Sequence, residues 1–389
     1  MLCLNERLIG KGPERKMKES QRNKKYGKGD PTLADNKYFS EYMAKPENFK
    51  LINLAIQGGG AHGAFAWGVI DRLLEDGRIH LEGISGTSAG SMNAVVLAYG
   101  LLVGGREGAR EKLRNFWQDV SKSGKLYNPC QQLPWEKFWY GNNMEHAIFY
   151  QMFQAMTHWF SPYQLNPQDF NPLKDILEAN VDFDRLNDCQ ITKLFLSATN
   201  VRTGQVKVFR TEEITAQSTL ASACLPDIFK AVEIDGEYYW DGGYSGNPVL
   251  FPFFYHVESS DIMIIHVNPI ERSAPPMLPS EIFNRVNEIS FNSALLKEFR
   301  AIDFVHKLMD KDWIKEEYKE KFKYIFLHSV SADKALADLS AASKFSSDWD
   351  FLLMLYNRGR AKMSEWLYRH FDNLGKRSSV NLDEKLVKK

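Results

Sequence analysis

The sequence has no uninterrupted apolar run of about 20 residues, the length that a helix needs to cross a bilayer. Its N-terminal residues also lack the apolar stretch of a secretory signal peptide. We therefore expect a cytoplasmic protein that meets membranes, where it does so, peripherally at their surface. Cysteine is scarce, and its four residues have no metal-type spacing: Cys3, Cys130, Cys189 and Cys224. Free thiols in a reducing compartment are expected, with Cys224 in a small apolar role.

The chain also has no excess of charge of either sign. Its 389 residues include 49 basic and 49 acidic side chains, and this balance argues against a protein that binds nucleic acid. The charge is nevertheless uneven, because residues 1–30 contain nine Lys or Arg against four acids. We predict that residues 1–45 form a disordered basic arm. The arm either keeps the protein soluble or is attracted to anionic lipid headgroups.

What the sequence does contain is a Gly-x-Ser-x-Gly segment, Gly86–Gly90. The apolar residues 79–85 before it predict a strand, and residues 91–98 after it predict a helix. A serine on a sharp strand-to-helix turn is typical of a nucleophile elbow, in which the two flanking glycines provide space for the turn. We therefore predict that Ser88 is a nucleophile. The structural alternative is a glycine-rich helix start that is capped by Thr87 or Ser88.

A glycine-rich segment lies upstream, again between a predicted strand, Leu51–Ile56, and a predicted helix over residues 65–74. Its backbone N–H groups suit negative charge, and they belong to Gly58, Gly59, Gly60 and Ala61. The charge is either the oxyanion of an acyl-transfer reaction or the phosphate of a dinucleotide. The second option arises because residues 58–63 also fit Gly-x-Gly-x-x-Gly.

A carboxylate on a tight turn decides between these options. Residues 233–240 predict a β-hairpin, and Asp241-Gly242-Gly243 follows it. The two glycines leave the Asp241 carboxylate with little side-chain cover. A dinucleotide site leaves Ser88 unexplained, whereas an oxyanion hole beside a nucleophile uses all three motifs. We therefore favour acyl transfer with Ser88 as nucleophile, although an Asp at such a position is by itself more often a β-turn residue.

The order of these motifs over residues 51–250 resembles the patatin-like phospholipases. Residues 268–306 and 343–383 resemble the C-terminal part of a bacterial branch of that family, with Asn268-Pro269-Ile270 and Gly359-Arg360 among the similar residues. The resemblance implies a lipid acyl hydrolase of the phospholipase A or lysophospholipase type. Its Ser–Asp dyad would have Ser88 as nucleophile and Asp241 as proton acceptor, with Gly242 and Gly243 as the supporting turn. It implies a three-layer α/β fold, in which a mostly parallel central sheet has helices on both faces and a helical C-terminal extension follows. One departure is visible: many relatives have Asp before the glycines and Arg or Lys within the loop, where this chain has Gln57 and His62.

The organisation predicted along the chain has three parts. After the arm comes a patatin-like catalytic domain over residues 46–270, and then a helical region over residues 271–389 that packs on it. Within the catalytic domain, residues 126–172 form an aromatic-rich insertion, which is either a satellite core or an acyl-chain wall and interfacial lid. The polar sequence from Leu374 onward predicts a loose tail.

Several alternatives stay open at the level of sequence. His62, His256 or His266 could serve as the base of a triad, although each is more often a structural histidine. A nucleotide-binding oxidoreductase would use the glycines of residues 58–63, and a catalytically silent protein would bind lipid without cleaving it. The sequence has neither a zinc-type cluster nor an EF-hand loop, so we expect no metal ion and no other cofactor. The partners expected are a phospholipid or lysophospholipid substrate and a membrane surface.

Overall fold

The computed structural model describes residues 49–188, 191–272, 275–277 and 279–382. The predicted basic arm therefore lies outside the described residues, as does Cys189. The strands are β1 Lys50–Ile56, β2 Ile79–Gly86, β3 Lys193–Asn200, β4 Val206–Arg210, β5 Val232–Ile234, β6 Glu237–Asp241, β7 Asp261–His266 and β8 Phe326–Ser331.

These strands form one eight-stranded sheet in the order β5-β6-β3-β2-β1-β7-β8, and β4 pairs with β3. Five neighbouring strands of this sheet are parallel to one another: β3, β2, β1, β7 and β8. The strands β4, β5 and β6 are antiparallel to their neighbours. The prediction of a mostly parallel central sheet is therefore confirmed. The carboxyl ends of β1 and β2 lie side by side, which brings the segments that follow these two strands to the same edge of the sheet.

Helices cover both faces of this sheet. They are α1 Gly63–Asp76, α2 Ala89–Tyr127, α3 Pro134–Tyr140, α4 Ile148–Trp159, α5 Pro162–Leu165, α6 Pro172–Asn180, α7 Phe183–Asn187, α8 Ala216–Ser222, α9 Phe251–His256, α10 Pro279–Asp310, α11 Glu316–Lys319 and α12 Trp349–His370. The long α2 is interrupted at Gly105, whose φ of 60° and ψ of −149° are not helical. Among the described residues, none of the helices combines the length and the hydropathy that a bilayer span requires.

Alternation of side chains along β1 explains the three layers. Ile52, Leu54 and Ile56 point to one face, where they share a core with residues of α1, α2 and α12. Ala55 points to the other face, where it shares a core with residues of α9 and α10. The strand β1 therefore has apolar side chains on both faces. This is the pattern of a sheet that is buried between two helical layers. The three-layer α/β fold expected from the sequence is confirmed.

The C-terminal part of the chain completes this fold. It contributes the edge strand β8 and the helix α12, and α12 packs along α1. The prediction of a loose tail from Leu374 is wrong, because Leu374 is fully buried and the Ser379 N–H donates to Leu327 O at 3.0 Å. The polar side chains of the tail concealed this pairing, which uses backbone groups of β8.

Candidate active site

Ser88 lies on a strained turn between β2 and α2. Its φ of 56° and ψ of −125° are rare for a residue other than glycine. A Cβ atom on Gly90 would lie 2.2 Å from Ile56 O, and one on Gly86 would lie 2.6 Å from Gly90 O, so both flanking positions require glycine. This is the geometry of a nucleophile elbow, which exposes a serine hydroxyl at the edge of the sheet.

Hydrogen bonds from distant residues hold the turn. The Ser88 N–H donates to Ser222 O at 3.1 Å and to Ser222 Oγ at 3.0 Å, at the end of α8. The Thr87 hydroxyl contacts Ser197 Oγ and donates to Gly246 O at 2.8 Å. The Ser88 side chain makes no capping hydrogen bond to α2. The alternative in which Thr87 or Ser88 serves as a helix cap is therefore wrong, because the Thr87 hydroxyl bonds elsewhere and that of Ser88 leaves the helix end uncapped.

Asp241 ends β6 with its side chain completely buried. Its Oδ1 accepts a hydrogen bond from the Gly243 N–H at 2.7 Å, so the turn of Gly242–Tyr244 holds one carboxylate oxygen. The other oxygen, Oδ2, has no hydrogen-bond partner among the described residues. The Ser88 hydroxyl approaches this carboxylate and acts on its pKa without reaching ordinary hydrogen-bond geometry. Two of the three predicted motifs therefore meet.

Burial gives this carboxyl group an unusual proton affinity. It raises the pKa of Asp241 from its ordinary value to about 7, although the Gly243 N–H and the nearby Ser88 hydroxyl act in the opposite direction. An unperturbed Asp, with a pKa of about 3.9, is a poor base at neutral pH. A pKa near 7 matches the operating pH, which is the condition under which proton transfer by a side chain is most effective.

The glycine-rich loop is in direct contact with the serine. A Cβ atom on Gly58 would lie 2.6 Å from Ser88 Cβ. The loop continues into a short 3-10 turn, Gly60–His62, before α1. Within the described chain, the N–H groups of Gly59, Gly60 and Ala61 make no hydrogen bond. They are free to bind an anion at the start of a helix.

Gly58 differs from the other predicted oxyanion donors. Its N–H donates to Asn247 Oδ1 at 2.7 Å, so this group is already satisfied. Of the four N–H groups that the sequence predicts as oxyanion donors, those of Gly59, Gly60 and Ala61 are therefore still available, and that of Gly58 is not. Asn247 was not found from the sequence, although its position before Pro248, six residues after Asp241, marks a turn at the same edge of the sheet.

The loop and the serine open into a cavity of about 1180 Å³. Gly59, Gly60, Ala61 and Ser88 line one part of it. Its other walls are mainly apolar or aromatic and come from α2, α4, α10 and the segment after α8, with side chains that include Phe116, Trp117, Tyr127, Phe153, Trp159, Ile228, Phe283 and Phe291. The volume exceeds the roughly 300–1,000 Å³ of pockets that hold small ligands.

The aromatic-rich insertion, residues 126–172, forms a small core of its own and also lines the cavity. Tyr150 and Met144 form a small separate core with Cys130 and with Ala342 of the C-terminal region. Other residues of the insertion line the cavity, as noted for α4. Its outer surface is apolar as well, since Phe138 and Trp139 are 79% and 75% exposed.

His62 supplies no positive charge to the glycine loop. It is buried, and its Nε2 lies 2.8 Å from Ser343 Oγ. Burial, together with the charges of Lys344 and Arg272, lowers the pKa of His62 to about 3. The imidazole is therefore neutral at physiological pH. The neighbouring departure, Gln57, is buried and accepts hydrogen bonds from the N–H groups of Val267 and Asn268.

The two other candidate histidines lie away from the serine. The carbonyl oxygen of His256 accepts a hydrogen bond from Lys193, at the start of β3, so this histidine is at the opposite edge of the sheet. His266 ends β7, and its Nδ1 lies 3.8 Å from Asp333. Among the described residues that line the cavity, neither histidine is present, and His62 is absent too. The structure thus brings Ser88 together with Asp241 and with none of these three histidines.

Neither Asn268 nor Lys344 was assigned a role at the site from the sequence. The Asn268 side chain donates to Gly58 O at 2.6 Å, and the Lys344 ammonium donates to Asn268 Oδ1 at 2.7 Å. A signal existed for Asn268, because it directly follows a buried strand at the carboxyl edge of the sheet. No local pattern marks Lys344, which lies on the 3-10 turn Ala341–Phe345. In the part of the chain that the structure describes, His, Cys, Asp and Glu form no group that could hold a metal ion.

Comparison with known proteins gives a match for the central part of the chain. The profile of the family described as "Patatin-like phospholipase" matches residues 54–254, just over half of the sequence, from β1 into α9. No curated protein matches the chain.

Similar solved structures include VipD from Legionella pneumophila, with 16% identity, a TM-score of 0.41 and coverage of 88% of this chain and 73% of that one. The type III effector protein ExoU has 12% identity, a TM-score of 0.33 and coverage of 84% and 54%. The ExoU–SpcU complex from the type III secretion system of Pseudomonas aeruginosa has 18% identity, a TM-score of 0.27 and coverage of 85% and 62%. The chain thus spans less than two thirds of the latter two.

Proposed function

From the premise that the chain belongs to the patatin-like phospholipase family, we propose that it cleaves carboxylic esters of membrane lipids. The family supports lipid acyl hydrolase activity in general, and the proposal adds the type and the residues. The type is phospholipase A or lysophospholipase. The observation that carries the proposal is the approach of the Ser88 hydroxyl, on its strained elbow, to a buried Asp241 with a pKa of about 7.

In the first half of the reaction, Ser88 Oγ attacks the ester carbonyl carbon, and its proton passes to Asp241 Oδ2. The carbonyl electron pair moves onto oxygen, and the N–H groups of Gly59, Gly60 and Ala61 stabilise the resulting oxyanion. Collapse of this intermediate breaks the bond to the lipid alcohol, which leaves with the proton from Asp241. The acyl group stays on Ser88 as an ester.

In the second half, Asp241 takes a proton from water while the water oxygen attacks the acyl-enzyme. A second oxyanion forms at the same N–H groups. Its collapse releases the fatty acid and returns the proton from Asp241 to Ser88 Oγ. One group therefore acts as base and acid in turn, which a carboxyl with a pKa near the operating pH can do in both directions.

The cavity supports a long apolar acyl chain as the group transferred. Its aromatic and aliphatic walls lie next to Ser88, and a fatty acyl chain gains about 0.8 kcal/mol for each CH₂ group that it buries. The exposed aromatic residues of α3 support a peripheral contact with a bilayer, since Trp and Phe favour the interface between hydrocarbon and water. The substrate could then reach the cavity from a membrane surface.

The test uses the full chain and a mixed phospholipid extract. Mass spectrometry of the products should show free fatty acid and lysolipid with the wild type and neither product with Ser88→Ala. A fluorophosphonate probe should label the wild type at Ser88 and leave Ser88→Ala unlabelled. If both proteins release no product and neither is labelled, a lipid-binding role without catalysis replaces the proposal. A nicotinamide or flavin absorbance in the purified protein would favour the oxidoreductase alternative.

A further inference from the structure

We propose that Lys344 is a positioning residue for ester cleavage, which holds the Asn268 side chain against the glycine loop and supplies the positive charge behind that loop. The inference rests on the proposed function of Ser88 and Asp241. Lys344 lies beyond residues 54–254, the range of the family match, and no motif in the sequence marks it.

The first observation is that the Lys344 backbone touches the loop. A Cβ atom on Gly60 would lie 2.6 Å from the Lys344 carbonyl oxygen. The 3-10 turn that contains Lys344 therefore packs directly on the 3-10 turn that contains Gly60. Lys344 also lines the same cavity as Ser88 and the free N–H groups of the loop.

The second observation is a short relay of hydrogen bonds to the loop. The Lys344 ammonium donates to Asn268 Oδ1 at 2.7 Å, and Asn268 Nδ2 donates to Gly58 O at 2.6 Å. Because an ammonium group has only donors, it requires the amide oxygen to face it. The amide nitrogen must then face Gly58 O. Without Lys344, the amide could rotate and present its oxygen to that carbonyl, which would repel the loop.

The third observation concerns charge. The negative charge of Glu288 raises the pKa of Lys344. The same carboxylate, however, already forms ion pairs with Arg272 and Arg285. Three cations therefore surround one carboxylate beside the loop, and His62 adds no charge because it is neutral. Burial lowers the pKa of Lys344 to about 8, with Glu288 acting in the opposite direction. The group is thus mostly an ammonium ion at neutral pH.

This charge has a chemical use. Fixed positive charge in a site that excludes water stabilises an oxyanion more than the same charge does in water. Within the loop itself, this chain has only the neutral His62. In this chain, the C-terminal turn supplies a cation at the back of the same loop. Lys344 acts through Asn268 and through its electric field, without touching the substrate.

The test compares Lys344→Met, which keeps the length of the side chain, with Lys344→Arg, which keeps the charge. Lys297→Met is the control, because Lys297 is an exposed lysine on α10. With a soluble monomeric ester, Lys344→Met should lower kcat on the order of tenfold or more and leave KM nearly unchanged. Lys344→Arg should recover part of the loss, and Lys297→Met should match the wild type. The thermal unfolding midpoint should be measured for each variant, so that a fall in kcat is separated from a loss of stability.

A pH profile provides a second readout. Wild-type kcat should fall above about pH 8 as Lys344 loses its proton, and this alkaline decline should be absent in Lys344→Met. The charged groups that face Lys344 are Glu288 and Arg272, and the neutral imidazole of His62 lies beside them. Glu298 of α10 also has a pKa raised to about 8 by burial, so Glu298→Gln should be measured and should keep the decline.

A third readout is independent of turnover. Amide hydrogen exchange in the peptide that contains residues 57–63 should be faster in Lys344→Met than in the wild type, and Lys344→Arg should restore it. If the proposed function is wrong, the wild type and Ser88→Ala should be equally inactive. The hydrogen-exchange result would then still show whether Lys344 holds the loop. The inference is overturned if exchange in this peptide is unchanged, or if Lys344→Met and Lys344→Arg lose stability and activity equally.

Discussion

Two residues of the candidate site have an unfavourable conformation or environment, which lowers the stability of the fold. Ser88 has a backbone conformation that costs roughly 1–3 kcal/mol. Asp241 is a buried carboxyl group with one oxygen unbonded among the described residues. Backbone strain and the burial of an unbonded polar group occur mainly where function requires them. Replacing such a functional group can therefore stabilise the protein.

We predict that Asp241→Asn abolishes ester hydrolysis and stabilises the protein at alkaline pH. In the unfolded chain Asp has a pKa of about 3.9, whereas in the fold the pKa of Asp241 is about 7. The folded state therefore binds the proton more tightly, and the wild type loses stability as pH rises from about 4 to 7. Asn has no such loss. The difference in unfolding midpoint should be large at pH 8 and should shrink toward pH 4.

Ser88→Ala is the control for this prediction, because it removes the nucleophile and keeps the carboxyl group. It should be inactive and should keep the wild-type dependence of stability on pH. The double variant should be no less active than either single variant, since the two residues act as a unit. Near-normal turnover of a nitrophenyl ester by Asp241→Asn would show that another group is the base.

A second prediction concerns Gly59. A Cβ atom there would lie 2.9 Å from Val267 Cγ2, so Gly59→Ala should shift the loop by a fraction of an ångström. Since the oxyanion exists only in the transition state, kcat should fall on the order of 10- to 100-fold while KM changes little. Gly104→Ala is the matched control, because a Cβ atom on Gly104 has no neighbour within 4 Å. An increase in KM alone would indicate that the loop binds the ground state.

At the scale of elements, the sequence predicted the local structure well. The strand before each glycine motif, the helix after the first motif and the hairpin at Asp235-Gly236 are present with nearly the predicted bounds, whereas the helix after Ser88, predicted over residues 91–98, extends over Ala89–Tyr127. The reason is that period and turn chemistry are local properties. The contacts of Asn247, Asn268 and Lys344 with the loop were not predicted, because each joins residues that are about 190 or more positions apart in the chain.

The element that we expect to meet a bilayer is α3. We predict that the pair Phe138→Ala and Trp139→Ala weakens binding to phospholipid vesicles by about tenfold or more, because each ring loses on the order of 1.5–3 kcal/mol of burial. Neither residue lines the cavity. Turnover of a soluble ester should therefore be unchanged.

Tyr368→Ala on α12 is the control, since Tyr368 is 93% exposed. Vesicle sedimentation should show wild-type binding for this variant. Equal binding by the α3 pair and the wild type would remove α3 from the membrane contact.

At the scale of the whole molecule, charge is distributed unevenly along the chain. Residues 1–30 carry nine basic and four acidic side chains, a net charge of +5, while the chain as a whole is neutral. We predict that deleting these residues weakens binding to anionic vesicles at low salt and leaves soluble-ester turnover unchanged. Binding should be measured at several salt concentrations with anionic and with neutral vesicles. Equal binding to anionic vesicles at low salt would leave the arm as a solubility or targeting segment.

The contact between the Ala341–Phe345 turn and the glycine loop also has a consequence in time. A ribosome extends a chain by about 5–20 residues per second, so Lys344 emerges roughly tens of seconds after Ser88. During that interval the nascent chain has its serine elbow but lacks Lys344, Ser343 and the strand β8 that completes the sheet edge. If Lys344 has the role proposed above, the chain gains its full turnover only after this late turn has been synthesised.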